Sequence, residues 1–351
     1  MRNWINRQVP FLGYPCGRRM LAATLLIGVT SFVPQRAAAE TAEIRFASGP
    51  SLTFLAFAVM EKEKLVEKHV AAAGLPTPKV TYIRLSNNDA IRDAVLSGAA
   101  EVASTGVPSF LPLWARTQGT SNPVYAFGAF NALPLVLVAR NPDVRTIADF
   151  TEKDRIAVPG VLNSTQALLL QMSAEKIWGV GNHKKLDALT ISRGHPDALA
   201  ALLSGASEIT AHFAAPPFDR LALADPRIRR ITSSHELYGG PGTNGLSLSS
   251  KQFRDANPKT LKAIVEALKE SMVLINADRR KAAQAYVEIT GDKVGAEGAF
   301  KILDAPDMVF SATPVGTLKV AQFMFRTGSI KVEPKSWQDM FFPEAHDLGG
   351  S

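Results

Sequence analysis

Ile91-Arg92-Asp93-Ala94-Val95-Leu96-Ser97-Gly98-Ala99-Ala100-Glu101-Val102 has an echo about a hundred residues further on, Ala198-Leu199-Ala200-Ala201-Leu202-Leu203-Ser204-Gly205-Ala206-Ser207-Glu208-Ile209. In each copy apolar residues recur at helical spacing as far as Leu-Ser-Gly, where glycine stops the helix, and an acidic residue then opens a short apolar strand. Each copy runs on to a proline and a phenylalanine, Pro108 and Phe110 in the first and Pro216 and Phe218 in the second. Solenoid repeats recur every ~20–50 residues, so this longer spacing implies two similar α/β halves in one chain. Two halves imply a cleft between them.

Working outward from the repeat, strand and helix patterns alternate, which implies a mostly parallel sheet covered on both faces in each half. Strands are expected at 43–47, 79–85, 102–104 and 124–128, with helical periodicity at 52–68 and from Ser86-Asn87-Asn88-Asp89 to Gly98. Leu133 to Ala139 is an apolar run ending at Arg140-Asn141-Pro142, where a first crossing between halves is expected. The second half repeats the pattern with strands at 155–158, 186–192 and 209–213 and helices at 165–178 and 196–203. Gly239-Gly240-Pro241-Gly242-Thr243-Asn244-Gly245 is the richest turn in the chain, and Leu246 to Leu248 make the return crossing. Beyond Asn257 the periodicity is helical at 261–277, 279–290 and 313–327. The expected organisation is 1–39 as a leader, 40–139 as the first lobe, 140–243 as the second, and 244–351 returning to the first.

Residues 1–39 read as a secretory signal peptide. Arg2, Arg7, Arg18 and Arg19 precede the apolar run Met20 to Val33, and Ala37-Ala38-Ala39 precede Glu40. The apolar run is shorter than the ~20 residues that span a bilayer as a helix, so cleavage near Ala39 and a periplasmic location are expected. Arg18-Arg19 partly resembles a twin-arginine signal. The formal net charge of +7 is mostly a property of this segment, which holds five arginines and no acidic residue; the rest is near +2. Nucleic acid is therefore not the expected partner. The single cysteine, Cys16, also lies in this segment, so residues 40–351 have neither disulfide nor thiolate chemistry.

In open α/β sheets, ligands sit beyond the carboxyl ends of the strands. Those ends carry Ser48, Pro50 and Ser51; Asn87 and Asn88; Thr105 and Gly106; Asn163, Ser164 and Thr165; and His212 and Phe213. Three of these segments precede helices, whose free N–H groups and positive dipole end favour an anionic group. Asn163-Ser164-Thr165 before Gln166-Ala167-Leu168-Leu169 is the strongest of them, although such residues also serve as ordinary helix caps. Phe54, Asn131 and Asn244 complete the expected cleft set. Phe54, Phe130 and Phe213 as cleft walls would suit an apolar or aromatic body. Arg193 and His195, in the loop before a helix, are candidates for positive charge.

The leader, the duplicated lobes, the Leu-Ser-Gly-x-x-Glu units, the crossing at Leu135-Val136-Leu137-Val138-Ala139-Arg140 and the helical return together resemble the periplasmic substrate-binding proteins of ABC importers. The resemblance extends over residues 41–351 and is greatest to the nitrate, sulfonate and taurine branch, which includes receptors for thiamine-precursor pyrimidines. That family commonly has aspartate where this chain has Glu101 and Glu208. The resemblance implies a type II two-lobed α/β fold, a small-molecule ligand, an ABC permease and its ATPase as partners, a monomer, and no cofactor or metal. The expected function is capture of a small organic anion, a sulfonate or carboxylate, with a pyrimidine-like heterocycle as the alternative.

Enzyme chemistry finds little support. There is no Gly-x-Ser-x-Gly elbow, phosphate-binding loop or His-Glu-x-x-His helix, and the six histidines are scattered singly. Pyrimidine synthases and a chorismate-processing lyase are relatives of the same fold, but the synthases use a cysteine-rich motif and a histidine cluster that are missing here. A sensor that presents its ligand to a membrane partner is a third reading.

Overall fold

The computed structural model describes residues 40–49, 51–85 and 88–351. Residues 1–39, on which the leader and Cys16 readings fall, lie outside the described residues. In chain order the elements are β1 (Glu43–Ser48), α1 (Leu55–Lys62), α2 (Leu65–Ala72), β2 (Lys79–Arg84), α3 (Asn88–Leu96), β3 (Val102–Gly106), α4 (Val107–Thr117), β4 (Val124–Asn131), β5 (Val136–Ala139), β6 (Ile156–Val158), α5 (Thr165–Trp178), β7 (Thr190–Ser192), α6 (His195–Ser204), β8 (Ala211–Ala214), α7 (Phe218–Leu223), β9 (Arg229–Ser233), α8 (Ser234–Tyr238) and β10 (Gly245–Ser250). The helices α9 (Lys251–Ala256), α10 (Pro258–Ala277), α11 (Arg279–Thr290), α12 (Gly295–Leu303) and α13 (Thr317–Arg326) follow. Among the described residues no helix is long and apolar enough to cross a membrane.

The strands form two five-stranded sheets of matching order, β2-β1-β3-β10-β4 and β7-β6-β8-β5-β9. In each, the fourth position holds the one antiparallel strand, and that strand arrives from the other half: β10 lies between β3 and β4, and β5 between β8 and β9. The sequence repeat maps onto this symmetry, because α3 leads to β3 and α6 to β8, third in their respective sheets. Strand alternation divides the core. Ile44 and Phe46 face α1, α2, α10 and α11, while Ala47 and Ala103 face α3, α4 and α13. In the second sheet Leu137, Ile156, Val158 and Phe213 pack under α5, and Val136, Val138 and Ala157 pack under α6 and α7.

Several expectations are corrected. Val136–Ala139 pairs with β8 and β9, so the chain passes between sheets at 132–135 rather than after Ala139. The apolar run could not separate a crossing from a buried strand. The strand expected at 186–192 is a 3-10 turn, His183–Leu189, followed by the short β7. Leu186 and Leu189, both buried, lie three apart, a spacing that suits a 3-10 turn better than a strand. The helix expected over 52–68 breaks at Lys64, whose φ is +50°. Helix α4 was not anticipated, since it carries Pro108 and Pro112.

The two repeats end their helices alike. Gly98 (φ +73°) and Gly205 (φ +64°) occupy the left-handed region that lets the chain turn back into the sheet. They differ in surroundings. A Cβ on Gly98 would meet nothing within 4 Å, whereas one on Gly205 would lie 2.5 Å from the Arg140 guanidinium. Arg140 donates to the last carbonyls of α6, Leu202 O at 3.3 Å and Leu203 O at 2.9 Å. Gly98→Ala is expected to cost about 1 kcal/mol of backbone strain, and Gly205→Ala about 1 kcal/mol more because the guanidinium must leave those carbonyls. Urea midpoints of the two variants check this; equal losses would show that the Arg140 cap contributes nothing.

Candidate functional site

The two sheets face each other across a cavity of about 250 Å³ lined by residues from both. From the first come Phe54, Gly106, Phe130, Asn131, Asn244 and Gly245, and from the second Thr165, Gln166, His195, Pro216 and Phe218. The position follows from the topology, since β3 ends at Gly106, β8 at Ala214 and β6 just before Pro159, all at this rim.

Two aromatic walls oppose one another. Phe54 and Phe130 stack at 5.3 Å with 28° between planes, and Phe57 meets Phe130 edge-on at 5.2 Å. On the other side the ring of His195 stacks on Phe218 at 5.5 Å and 19°. Gly245 allows the first wall, because a Cβ there would lie 2.1 Å from the Phe130 ring. Gly49 does the same for Phe54 at 2.4 Å.

The polar side of the cavity is α5. Ser164 caps it, accepting from Ala167 N at 3.2 Å and donating to Gly160 O at 2.6 Å. The N–H groups of Thr165 and Gln166 begin the first turn, before the helix's own ladder of bonds starts, and both residues border the cavity. Asn131 donates through Nδ2 to Thr53 O at 2.7 Å, and Asn244 donates to Leu133 O at 2.5 Å; the side-chain oxygens of both are buried without a protein partner among the described residues. No Lys, Arg, Asp or Glu among the described residues lines this space.

Measured against expectation, Ser51, Phe54, Gly106, Asn131, Thr165 and Asn244 come together here. Ser164 serves as the cap beside them. Ser48 borders a separate small space behind Phe54, with Arg84 and Tyr286. Asn163 lies in a larger outer depression of about 560 Å³ with Arg92, Arg116 and Lys331, where its carbonyl accepts from Ser109. Thr105 is buried, its hydroxyl has no partner among the described residues, and it is not part of the cavity lining. Phe213 points the other way, into the core under α5, because β8 alternates. His212 is fully buried one step back, with Nε2 2.8 Å from Nδ1 of His195. Pro50, Asn87 and the side chain of Asn88 lie outside the described residues.

Gln166, His195, Pro216 and Phe218 also line it, and the proline and phenylalanine that follow the second repeat were a signal that could have found the last two. His195, a candidate for positive charge, lines the cavity as a neutral ring. Burial pushes its pKa down to about 4, and burial together with His195 pushes His212 down to about 3. Glu101 receives Arg45 N, Nε and Nη2 and so ties β1 to β3. Glu208 is exposed, and Thr210 holds the equivalent start of β8 through Arg155 N and Asp154.

No model of a known protein family matches the sequence, and no curated protein matches it. The fold, however, has clear counterparts among solved structures. The periplasmic aliphatic sulphonate binding protein SsuA of Escherichia coli superposes with a TM-score of 0.65 at 17% identity, covering 87% of this chain and 93% of that one. The alkanesulfonate-binding protein SsuA of Xanthomonas axonopodis pv. citri, bound to MOPS, gives 0.63 at 18% identity over 85% and 96%. The periplasmic nitrate-binding protein NrtA of Synechocystis PCC 6803 gives 0.53 at 17% identity over 76% and 70%. The chain has the two-sheet fold of periplasmic binding proteins.

The buried histidines carry a pH consequence. Both pKa values fall below the unfolded value near 6.5, so the unfolded chain binds more protons between those limits. Stability is full above pH 6.5 and is lost as pH falls through about 4 and about 3. Between pH 7 and 5 the protein is expected to lose about 4 kcal/mol more than a variant with both histidines replaced by glutamine, at ~1.4 kcal/mol per pH unit and group over the roughly 1.5 units below 6.5. Denaturant midpoints at the two pH values measure it, and parallel losses would refute the neutral pair.

Proposed function

We propose that this protein is an extracytoplasmic solute-binding protein that captures a small organic anion, a sulfonate or carboxylate with an apolar or aromatic body, and delivers it to an ABC importer. The observation that carries the reading is the cavity between the sheets, which sets the first turn of α5 against two aromatic walls. The acidic group would lie on the N–H groups of Thr165 and Gln166, stabilised by the helix dipole, and the body between Phe54, Phe130 and Phe218. The structural neighbours, sulphonate and nitrate receptors of the periplasm, support the class and the location. The partners are then a permease with its ATPase, the working form a monomer, and the activity binding without turnover.

Capture would proceed by closure of two lobes, 40–139 with 244–351 against 140–243, refined so that the joints fall at 132–135 and 239–244. Ion pairs between the two sides, Glu175 with Arg326 at 2.5 Å and Arg220 with Asp307 at 3.2 Å, would hold the closed form. A ligand touching both sides only when they meet biases that equilibrium. The absence of a charged lining residue among those described favours a second reading, a pyrimidine-like heterocycle stacked between the aromatic walls and read by Gln166 and Asn244.

Thermal unfolding against nitrate, taurine, alkanesulfonates, aromatic sulfonates, aromatic carboxylates and pyrimidines decides between them. A ligand at a thousandfold its Kd adds roughly 4 kcal/mol, a shift of roughly 10 °C at ~2–4 °C per kcal/mol. The expected responder is an aromatic sulfonate or carboxylate. A response to pyrimidines alone transfers the assignment to the second reading, and product formation rejects both. Thr165→Ala, which keeps the peptide N–H but removes the hydroxyl that would donate to the acidic group beside it, is expected to weaken the responding anion about tenfold or more, as for loss of a hydrogen bond to a charged group, with little change in the ligand-free Tm. Ser164→Ala, by contrast, should cost about 1 kcal/mol of folding because it removes the α5 cap.

A further inference from the structure

His195 and His212 pair at the edge of the cavity, and the pairing determines what His195 offers a ligand. His212 lies in β8 opposite Val138, on the face of the sheet covered by α6 and α7. Its ring is fully buried, and its Nδ1 has no hydrogen-bond partner among the described residues. His195 is the first residue of α6; its Nδ1 is committed to His212, its ring is fixed against Phe218, and it lines the cavity. No protein partner meets its Nε2 among the described residues.

Both rings are neutral at pH 7, since burial holds their pKa values near 4 and 3, so each carries one proton and the 2.8 Å contact is a single N–H···N bond with two possible directions. If His195 donated, the remaining proton of His212 would sit on Nδ1, a buried N–H with nothing to receive it. Buried orphan donors are the rarer and costlier fault. If His212 donates from Nε2, its Nδ1 is a bare lone pair, and the proton of His195 is displaced to Nε2. Hydrogen positions follow from such bonding arguments, and the partner of one ring nitrogen sets the state of the other.

We propose that His212 donates Nε2–H to Nδ1 of His195 and thereby fixes His195 as a neutral Nε2–H donor that reads an acceptor on the bound solute. His212 is a positioning residue that touches no ligand. The inference rests on the cavity being the binding site proposed above. It narrows the solute to one presenting a lone pair at this point, a sulfonate or carboxylate oxygen or a heterocycle carbonyl or ring nitrogen, and it disfavours an ammonium or any group offering only N–H there.

The test begins without ligand. Long-range ¹H–¹⁵N spectra of the full chain labelled at histidine nitrogen, at pH 7, report the tautomer of each ring, and the expected result is Nε2–H for both. His195 protonated on Nδ1, or doubly protonated, overturns the proposal. His212→Leu should release His195 into a mixture of tautomers, while His212→Gln, which retains an N–H donor, should keep the Nε2–H form; a His195 unchanged in a folded His212→Leu variant also overturns it. The wild-type spectrum decides even where His212→Leu does not fold. With benzenesulfonate as probe, His212→Leu should weaken binding about tenfold, as for loss of one hydrogen bond to a charged group, and His212→Gln should stay within about twofold of wild type. Failure of the wild type to bind benzenesulfonate counts against the anion reading, while the tautomer result still decides the histidine pair.

Discussion

The peptide N–H of Asn244 donates to the carbonyl of Asn131 at 3.1 Å, joining the two places where the chain passes from one sheet to the other. Around that bond the strands are laced closely. Asn244 accepts from Val107 N and donates its side chain to Leu133 O. Ser234 and Leu135 exchange bonds at 2.7 and 2.9 Å, and His235 Nε2 lies 2.9 Å from Ala132 O. The joints are thus held to each other as well as to their own sheets, and Asn131 and Asn244 are also part of the cavity wall. Any rotation of one sheet against the other must turn about this knot, so the geometry of the cavity and of the joints is set by the same residues.

The cavity is assembled from neutral groups whose orientation is fixed beforehand. Ser164 holds the first turn of α5, Gly49 and Gly245 leave room for the stacked phenylalanines, and the histidine pair is locked by Phe218 and by the sheet beneath it. Dipoles held in place by packing would need no reorganisation to meet a polar group in this space, and their benefit would not be offset by the desolvation of a mobile side-chain charge. Arg92, Arg116 and Lys331 lie in the outer depression instead.

Much of this architecture was legible in the sequence because it rests on local rules. The repeated Leu-Ser-Gly stops mark two helices that end at glycines with positive φ, and Thr165–Trp178 is bounded by a serine cap and a glycine as its pattern demands. What could not be read depends on partners distant in sequence. Val136–Ala139 looks the same whether it closes one sheet or enters another. Phe213 and His212 were both placed at a strand end, yet only alternation against β5 shows that one enters the core under α5 and the other the layer beneath α6. The charge state of His195 follows from its burial against His212 and Phe218, which its sequence neighbours Gly194 and Pro196 do not reveal.

The exchange of β5 and β10 also sets an order of events during synthesis. The first sheet needs Gly245–Ser250 between β3 and β4, and these residues leave the ribosome only after the whole second half has been made. Until then β3 and β4 each present an unfilled edge, and the earlier half cannot complete as a unit while the chain is still growing. The second sheet has no such wait, since its last strand, β9, precedes the return. The later-made half can therefore finish first, and the earlier-made half closes around a strand delivered from beyond it.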